Sequence, residues 1–316
     1  MREASDMNIE PFQKRAWAEI QLTSIRHNFE VIRKQIGNDV KLCCVIKANA
    51  YGNGAVPLAK VYEKLGADFL AVSNIEEALQ LRNNNITLPI LILGYTDPRC
   101  APLLSINNIS QCVFSEEYGK RLTEQAVING CSLKIHIKLD TGMGRIGFLC
   151  RKENQLAIKE IHEVFLLQGL VPEGIFTHFA SADEGDFGED FTKHQFKCFV
   201  KTIEELGSLG LHFQIRHCAN SATIFEYPQM HLDMVRAGVV LYGLQPSSEL
   251  RNHGDLRQIM TLHNIIAHIK TVEKEDSIRY GREYVARDKR RVATIPIGYA
   301  DGLWRANAKG NLMDRD

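Results

Sequence analysis

Residues 41–54 read Lys41-Leu42-Cys43-Cys44-Val45-Ile46-Lys47-Ala48-Asn49-Ala50-Tyr51-Gly52-Asn53-Gly54. An apolar run of strand length, from Lys41 to Ile46, stops at a single lysine, and a glycine-bearing turn with a tyrosine follows at once. A lysine at the end of a buried strand is held partly out of water and can act as an amine nucleophile, joining an aldehyde as a Schiff base. A lysine that only snorkels to solvent has the same local pattern. The rest of the chain decides between the two.

Seven further short apolar runs follow: Phe69–Ser73, Ile90–Leu93, Gln111–Phe114, Leu133–Leu139, Gly174–Phe179, Phe213–His217 and Leu232–Arg236. Between them lie helix-like stretches, including Gly54–Leu65, Ile75–Arg82, Glu117–Asn129, Lys152–Leu167 and Thr192–Leu206. Strands alternating with helices imply a parallel sheet, and about eight units close naturally into a (β/α)8 TIM-type barrel. An open doubly wound sheet is the alternative. Upstream, Ala16–Leu22 reads as a strand and Thr23 as the cap of a helix running to Ile36, after a loose leader over residues 1–13. The barrel is placed at residues 14–246. Past Gln245 the texture turns β-like: Ile259–Val272 reads as a strand pair or one long strand, followed by Ile278–Tyr284 and Val292–Ile297. Residues 247–316 are expected to be an incomplete, mainly β domain, since no closing strands precede Asp316 and an open sheet exposes its edges. The chain is accordingly expected to be a fragment.

The 316 residues carry 38 Lys plus Arg against 38 Asp plus Glu, so charge points to neither nucleic acid nor an anionic membrane. An apolar content of 45% is that of a protein able to bury a full core. No apolar run is long enough to span a bilayer, and the polar start lacks the apolar segment of a secretory signal. The eight cysteines form no CxxC pair and no zinc spacing. They read as reduced thiols in a cytoplasmic protein with no metal site.

In such barrels chemistry gathers at the C-terminal ends of the strands. Lys47 and Tyr51 follow the first run, and Asp140 and Arg145 the fifth. His178 ends the sixth, Asn220 and Ser221 follow the seventh, and Arg236 and Gly238 end the eighth. The loops after the last two strands commonly hold a phosphate, for which Ser221 offers a hydroxyl and Gly238 and Val239 offer backbone amides. Ser221 as a plain helix cap and Gly238 as a plain turn compete with that reading. One stretch points elsewhere. Gly142-Met143-Gly144-Arg145-Ile146-Gly147 is a literal GxGxxG after an apolar run, the pattern of a dinucleotide site. It sits deep in the chain with no acidic residue placed for a ribose. Glycines for a tight turn explain it equally.

Seven separated motifs, VIKANAYGNG, KLDTGMGRIG, THFASADE, HCANSA, MVRAGVVLYGL, YGREY and TIPIGYADG, together make the chain resemble the bacterial alanine racemases, pyridoxal-phosphate enzymes of the barrel type, over Ala16 to Arg305. The resemblance implies an isomerase that interconverts L- and D-alanine by a two-base mechanism and supplies D-alanine for peptidoglycan. It implies that Lys47 carries the pyridoxal 5'-phosphate as a Schiff base and is one base. Tyr280 is the other, contributed across the interface of a homodimer. Arg236 would face the pyridine nitrogen, and His178 would pack on the ring. Tyr51, Asn220, Ser221, Gly238 and Val239 would bind the cofactor, chiefly at its phosphate. Arg145 would touch the substrate carboxylate, Tyr299 would line the entrance, and Lys138 matches a lysine often carbamylated. The family's form of the first motif has histidine where this chain has Asn53. The family's methionine–aspartate pair lies further on than Met313-Asp314, which comes too early to be its match.

Three readings compete with that function. Related racemases prefer serine. Pyridoxal-phosphate barrels without a second domain only carry the cofactor, and a chain lacking part of that domain is expected to bind cofactor without turnover. The glycine run leaves the dinucleotide oxidoreductase.

Overall fold

The computed structural model describes residues 14–150 and 154–303. The expected leader, the start of the helix placed from Lys152, and Met313-Asp314 lie outside the described residues. Backbone contacts divide the chain into two units: one spans Gln21–Ile259, and the other joins the residues up to Ile20 with those from Met260 on.

Strand β1 (Ala16–Ile20) belongs to the smaller unit. The larger unit holds β2 (Lys41–Val45), β3 (Phe69–Val72), β4 (Ile90–Ile92), β5 (Ile109–Val113), β6 (Leu133–Asp140), β7 (Phe148–Leu149), β8 (Leu170–Phe176), β9 (Ile215–His217) and β10 (Met234–Ala237). Eight of these pair in parallel in the order β10-β2-β3-β4-β5-β6-β8-β9, and the two-residue β7 lies against the end of β6. The seam between β9 and β10 is bridged by Asp233 N–H to the Arg216 carbonyl at 3.1 Å and Arg236 N–H to the Ala219 carbonyl at 3.0 Å. The result is the (β/α)8 barrel expected from the run pattern, and the open sheet is set aside.

The strands were legible because both faces are covered. Every residue of β3, β4 and β5 is buried, as a parallel sheet wrapped by helices requires. Alternate residues Cys43, Val45, Phe69, Ala71, Leu91, Ile215 and Met234 form one buried cluster. The helix Leu22–Ile36 buries Ile25, Phe29, Ile32 and Ile36, spaced four, three and four apart. It starts one residue before the expected cap. Gln21 is the extended cap residue, its N–H bonded to the Ile259 carbonyl, and Thr23 lies inside the first turn. Elsewhere side chains do cap the helices: Asn74 accepts from the N–H of Glu77, Ser115 from that of Tyr118 and Asn220 from that of Thr223. The helix expected from Thr192 begins at Asp186, six residues earlier. Its first turn exposes Phe187 almost fully, so no apolar stripe announces it.

In the smaller unit, β11 (Met260–Asn264) pairs antiparallel with β1. Strand β12 (His268–Val272) pairs with a later strand, β15 (Arg290–Thr294), and β13 (Ser277–Ile278) pairs with β14 (Tyr284–Val285). The run Ile259–Val272 is therefore two strands with different partners, and Ile278–Tyr284 is a hairpin rather than one run. No disulfide joins any of the eight cysteines; six are buried, and Cys100 and Cys131 are half-buried. Among the described residues no helix is long and apolar enough to cross a membrane, and no cluster of His, Cys, Asp and Glu could hold a metal ion.

Candidate active site

A cavity of about 290 Å³ opens within the larger unit, at the C-terminal ends of the barrel strands. Lys47, Tyr51, Lys138, Arg145, His178, Asn220, Ser221, Arg236, Gly238 and Val239 all line it. The barrel thus gathers in one place residues up to 192 positions apart in the chain. Tyr280 and Tyr299 belong to the smaller unit. Tyr280 opens the tip of the β13–β14 hairpin and is 78% exposed, and Tyr299 is 68% exposed.

The turn after β2 holds the longest run of positive-φ non-glycine residues among the described residues. Ala48, Asn49, Ala50 and Tyr51 have φ of 52°, 53°, 55° and 56°, a left-handed turn built without glycine. Such residues cost on the order of 1–2 kcal/mol each, so the surroundings must hold them. Glu77 does part of this. Its carboxylate accepts from Ala48 N–H at 2.6 Å, Ser73 N–H at 2.8 Å and the Ser73 hydroxyl at 2.9 Å. Asn49 Oδ1 accepts from Ala55 N–H at 2.9 Å. Tyr242, buried beneath, donates to the Val45 carbonyl at 2.7 Å and packs its ring 5.1 Å from that of Tyr51. Strain of this kind gathers where a side chain must be aimed; here it turns Lys47 and Tyr51 toward one cavity.

Opposite, Gly238 N–H donates to Ser221 Oγ at 3.0 Å. A Cβ on Gly238 would stand 3.3 Å from Tyr51 Oη and 3.6 Å from Ser221 Oγ, so the two hydroxyls and a bare backbone meet in a small polar cradle. Asn220, not Ser221, caps the following short helix, with its Oδ1 accepting from the Thr223 N–H and hydroxyl. The competing reading of Ser221 as the cap is corrected, and its hydroxyl is left to the cradle.

Arg236 is 4% exposed. It donates to His217 Nδ1 at 2.9 Å, the Thr177 carbonyl at 2.8 Å, His178 Nδ1 at 3.1 Å and the Cys218 carbonyl at 3.2 Å. These bonds use one Nη1 hydrogen and the Nη2 group. Its Nε–H and second Nη1–H have no acceptor among the described residues. Burial and the nearby cations Arg236 and Lys138 push His178 well below the ordinary histidine range, so it is neutral. Lys138 is the other buried cation. Its Nζ lies 4.8 Å over the Phe176 ring with no hydrogen-bond partner. Burial first, then Arg236, pulls it down to about 7.

The glycine run closes on itself. Asp140 Oδ1 accepts from the N–H groups of Gly142 and Gly144 at 3.0 Å each, and the chain returns as β7 instead of opening a helix. Gly147 sits at φ 134°, where a Cβ would lie 2.6 Å from Asp140 N. The run is a tight turn carrying Arg145, and the dinucleotide reading falls with it.

Reading the sequence missed Glu77, Tyr242, His136, His217 and Glu173. His217 and Tyr242 stand inside quoted motifs, HCANSA and MVRAGVVLYGL; Glu77, His136 and Glu173 sit within a helix or strands with no local mark.

The residues 20–246 match the family model of the alanine racemase N-terminal domain, and residues 259–314 match that of its C-terminal domain. The chain is 43% identical over 299 residues to an alanine racemase of Desulforamulus reducens, covering 94% of this chain and 80% of that protein. The solved structure of an alanine racemase from Clostridium difficile 630 superposes with a TM-score of 0.87 at 41% identity, covering 92% of this chain and 75% of that one. A histidine racemase from Leuconostoc mesenteroides superposes at 0.82 with 30% identity, covering 93% and 77%. With two matching domain models, and a barrel that brings its reactive side chains to one mouth, the chain belongs to the alanine racemase family.

Proposed function

We propose that the protein is a homodimeric, pyridoxal-phosphate-dependent alanine racemase and a source of D-alanine for peptidoglycan. The observation that carries this reading is the convergence of Lys47, the Tyr51–Ser221–Gly238 cradle and Arg236 on one cavity. Those residues fit the cofactor. The cradle suits a phosphate. Arg236 has N–H donors to spare at the cavity wall, and the amine of Lys47 lines the same space. When bound, the cofactor supplies an electron sink that acidifies the substrate Cα–H.

The chain's own residues do the rest. Lys47 Nζ holds the cofactor aldehyde and moves a proton on one face of Cα. The partner subunit's Tyr280 moves it on the other through Oη, so the substrate need not turn over. Each base contributes about 10²–10⁴-fold. Tyr51, Ser221 and the Gly238–Val239 backbone hold the phosphate, and Asn220 fixes the turn that presents Ser221. Arg236 can only donate, so it keeps the ring nitrogen unprotonated. His178 packs on the ring, Arg145 takes the substrate carboxylate, and Tyr299 lines the entrance. Lys138 is set up to add carbon dioxide. Its neutral amine attacks the carbon, one proton leaves, and the resulting carbamate puts a negative charge among Arg236, Arg145 and the ring of Phe176. Alanine is favoured over serine because the relatives at 40–44% identity are named alanine racemases.

The test is chiral analysis of L-alanine, L-serine and L-histidine after incubation with purified protein, with borohydride trapping and mass spectrometry to place the cofactor. Alanine should racemise fastest and the adduct should sit on Lys47; an adduct elsewhere, or none, overturns the reading. Mixing Lys47→Ala and Tyr280→Phe chains tests the dimer. If Tyr280 serves the neighbouring site, the mixed dimer has one intact site and activity returns. If it serves its own chain, every site is defective and none returns.

A further inference from the structure

Behind Arg236 a line of hydrogen bonds runs down through the barrel to a carboxylate that the proposed chemistry does not use. Arg236 Nη1 meets His217 Nδ1 at 2.9 Å, His217 Nε2 meets His136 Nδ1 at 2.9 Å, and His136 Nε2 meets Glu173 Oε2 at 3.1 Å. Ser110 donates to the same oxygen at 2.8 Å, and Lys134 lies 3.3 Å from the other. Both rings are fully buried. His217 stacks on Phe176 with centroids 4.7 Å apart, and His136 meets Phe69 edge-on at 6.1 Å.

The backbone is shaped to allow this. Strands β6 and β8 pair Ile135 with Pro172 and His136 with Gly174, so Glu173 is one residue extra. Such a bulge re-aims a side chain. A Cβ on Gly174 would lie 2.4 Å from His136 Nδ1, so the ring occupies space that only glycine leaves open.

The direction of every bond is fixed from one end. A guanidinium has donors only. His217 Nδ1 must therefore accept, which puts its hydrogen on Nε2. His136 Nδ1 must then accept in turn, which puts its hydrogen on Nε2, facing Glu173. Burial pushes the Glu173 carboxyl up, but hydrogen bonds from His136 and Ser110 and the charge of Lys134 outweigh it and hold it down at about 2. The far end is thus an ionised acceptor. Burial also keeps both histidines below their ordinary range, and so neutral.

We propose that Glu173 and His136 are positioning residues that lock His217 as a pure acceptor for Arg236 and so aim the unused N–H groups of Arg236 into the cavity. Their catalytic consequence rests on Arg236 being the partner of the cofactor ring; the tautomers themselves belong to the chain. Replacing the carboxylate by an amide removes the lock. An amide can turn its NH₂ toward His136, which then accepts at Nε2 and donates at Nδ1. That reversal ends with a hydrogen on His217 Nδ1 facing a donor.

The test is long-range ¹H–¹⁵N correlation spectroscopy of the protein labelled in its histidine rings, with the cofactor and after its removal. His136 and His217 should both carry hydrogen on Nε2 alone in both states. In Glu173→Gln a second His217 population with hydrogen on Nδ1 should appear, and kcat should fall about tenfold with KM changed less, the size typical of such outer partners. A wild-type His217 protonated at Nδ1, or an unchanged tautomer in Glu173→Gln, overturns the proposal. If that variant does not fold, the wild-type spectrum decides alone. A protein that racemises alanine with the wrong tautomer sinks only this inference, whereas one with the right tautomers and no cofactor on Lys47 sinks the reading of function.

Discussion

Arg236 concentrates the chemistry at the residue scale. Under the proposed function, a permanent donor against the ring nitrogen would leave the electron sink weak, which suits a reaction that must return a proton and do nothing else. Arg236→Glu should let the ring nitrogen protonate and raise transamination; pyruvate formation from alanine no greater than in the wild type would count against this. The same buried network has a pH signature. Glu173 is held near 2 when folded, against about 4.3 unfolded. A carboxylate depressed in this way stabilises the fold above the unfolded value, and that contribution is lost as pH falls from about 4 toward 2. Its size is on the order of 3 kcal/mol. Urea unfolding at pH 5 and pH 3 should therefore show a smaller acid loss in Glu173→Gln than in the wild type. Most of this was hidden from the sequence. Most cavity residues could be flagged because each ends or follows an apolar run, and Lys138, inside one, was marked only by the resemblance; His136 and Glu173 lie within strands and gain meaning only from partners 81 and 37 residues away.

Among the elements, the left-handed turn after β2 and the bulge in β8 carry the site. Neither is visible as a pattern. Ala48, Asn49 and Ala50 are ordinary residues whose signs of φ follow from the bonds around them. Glu77 reads as a solvent-facing residue in the first turn of its helix. Glu77→Ala strands three donors, at about 1–3 kcal/mol for each one that water cannot reach, and frees the turn that aims Lys47. The expected outcome is a lower melting temperature together with cofactor affinity reduced about tenfold or more, read by titrating the cofactor into stripped protein. Equal affinity in the variant would mean that the turn is held by Asn49 and Tyr242 without it. The strands themselves were legible for a plain reason: a segment buried on both faces is mostly apolar. Strands β11 and β12 are mostly exposed, so nothing in their composition shows where one ends and which partner each takes.

For the whole molecule, closing eight parallel strands does two things at once. It collects the ten residues named above at one mouth, and it builds an interior whose lower layers are free to be polar. The fold as a whole also buries six thiols, among them Cys43, Cys112, Cys150 and Cys218, each pushed up to about 12 with burial as the main cause. Thiols so placed react only when the wall around them parts. Under native conditions an alkylating reagent should modify Cys100 and Cys131 quickly and the other six together, at one slow rate. The barrel therefore comes with its own clock: counting adducts by mass over time would time how often its staves come apart, and a cysteine that reacted ahead of its companions would mark the stave that loosens first.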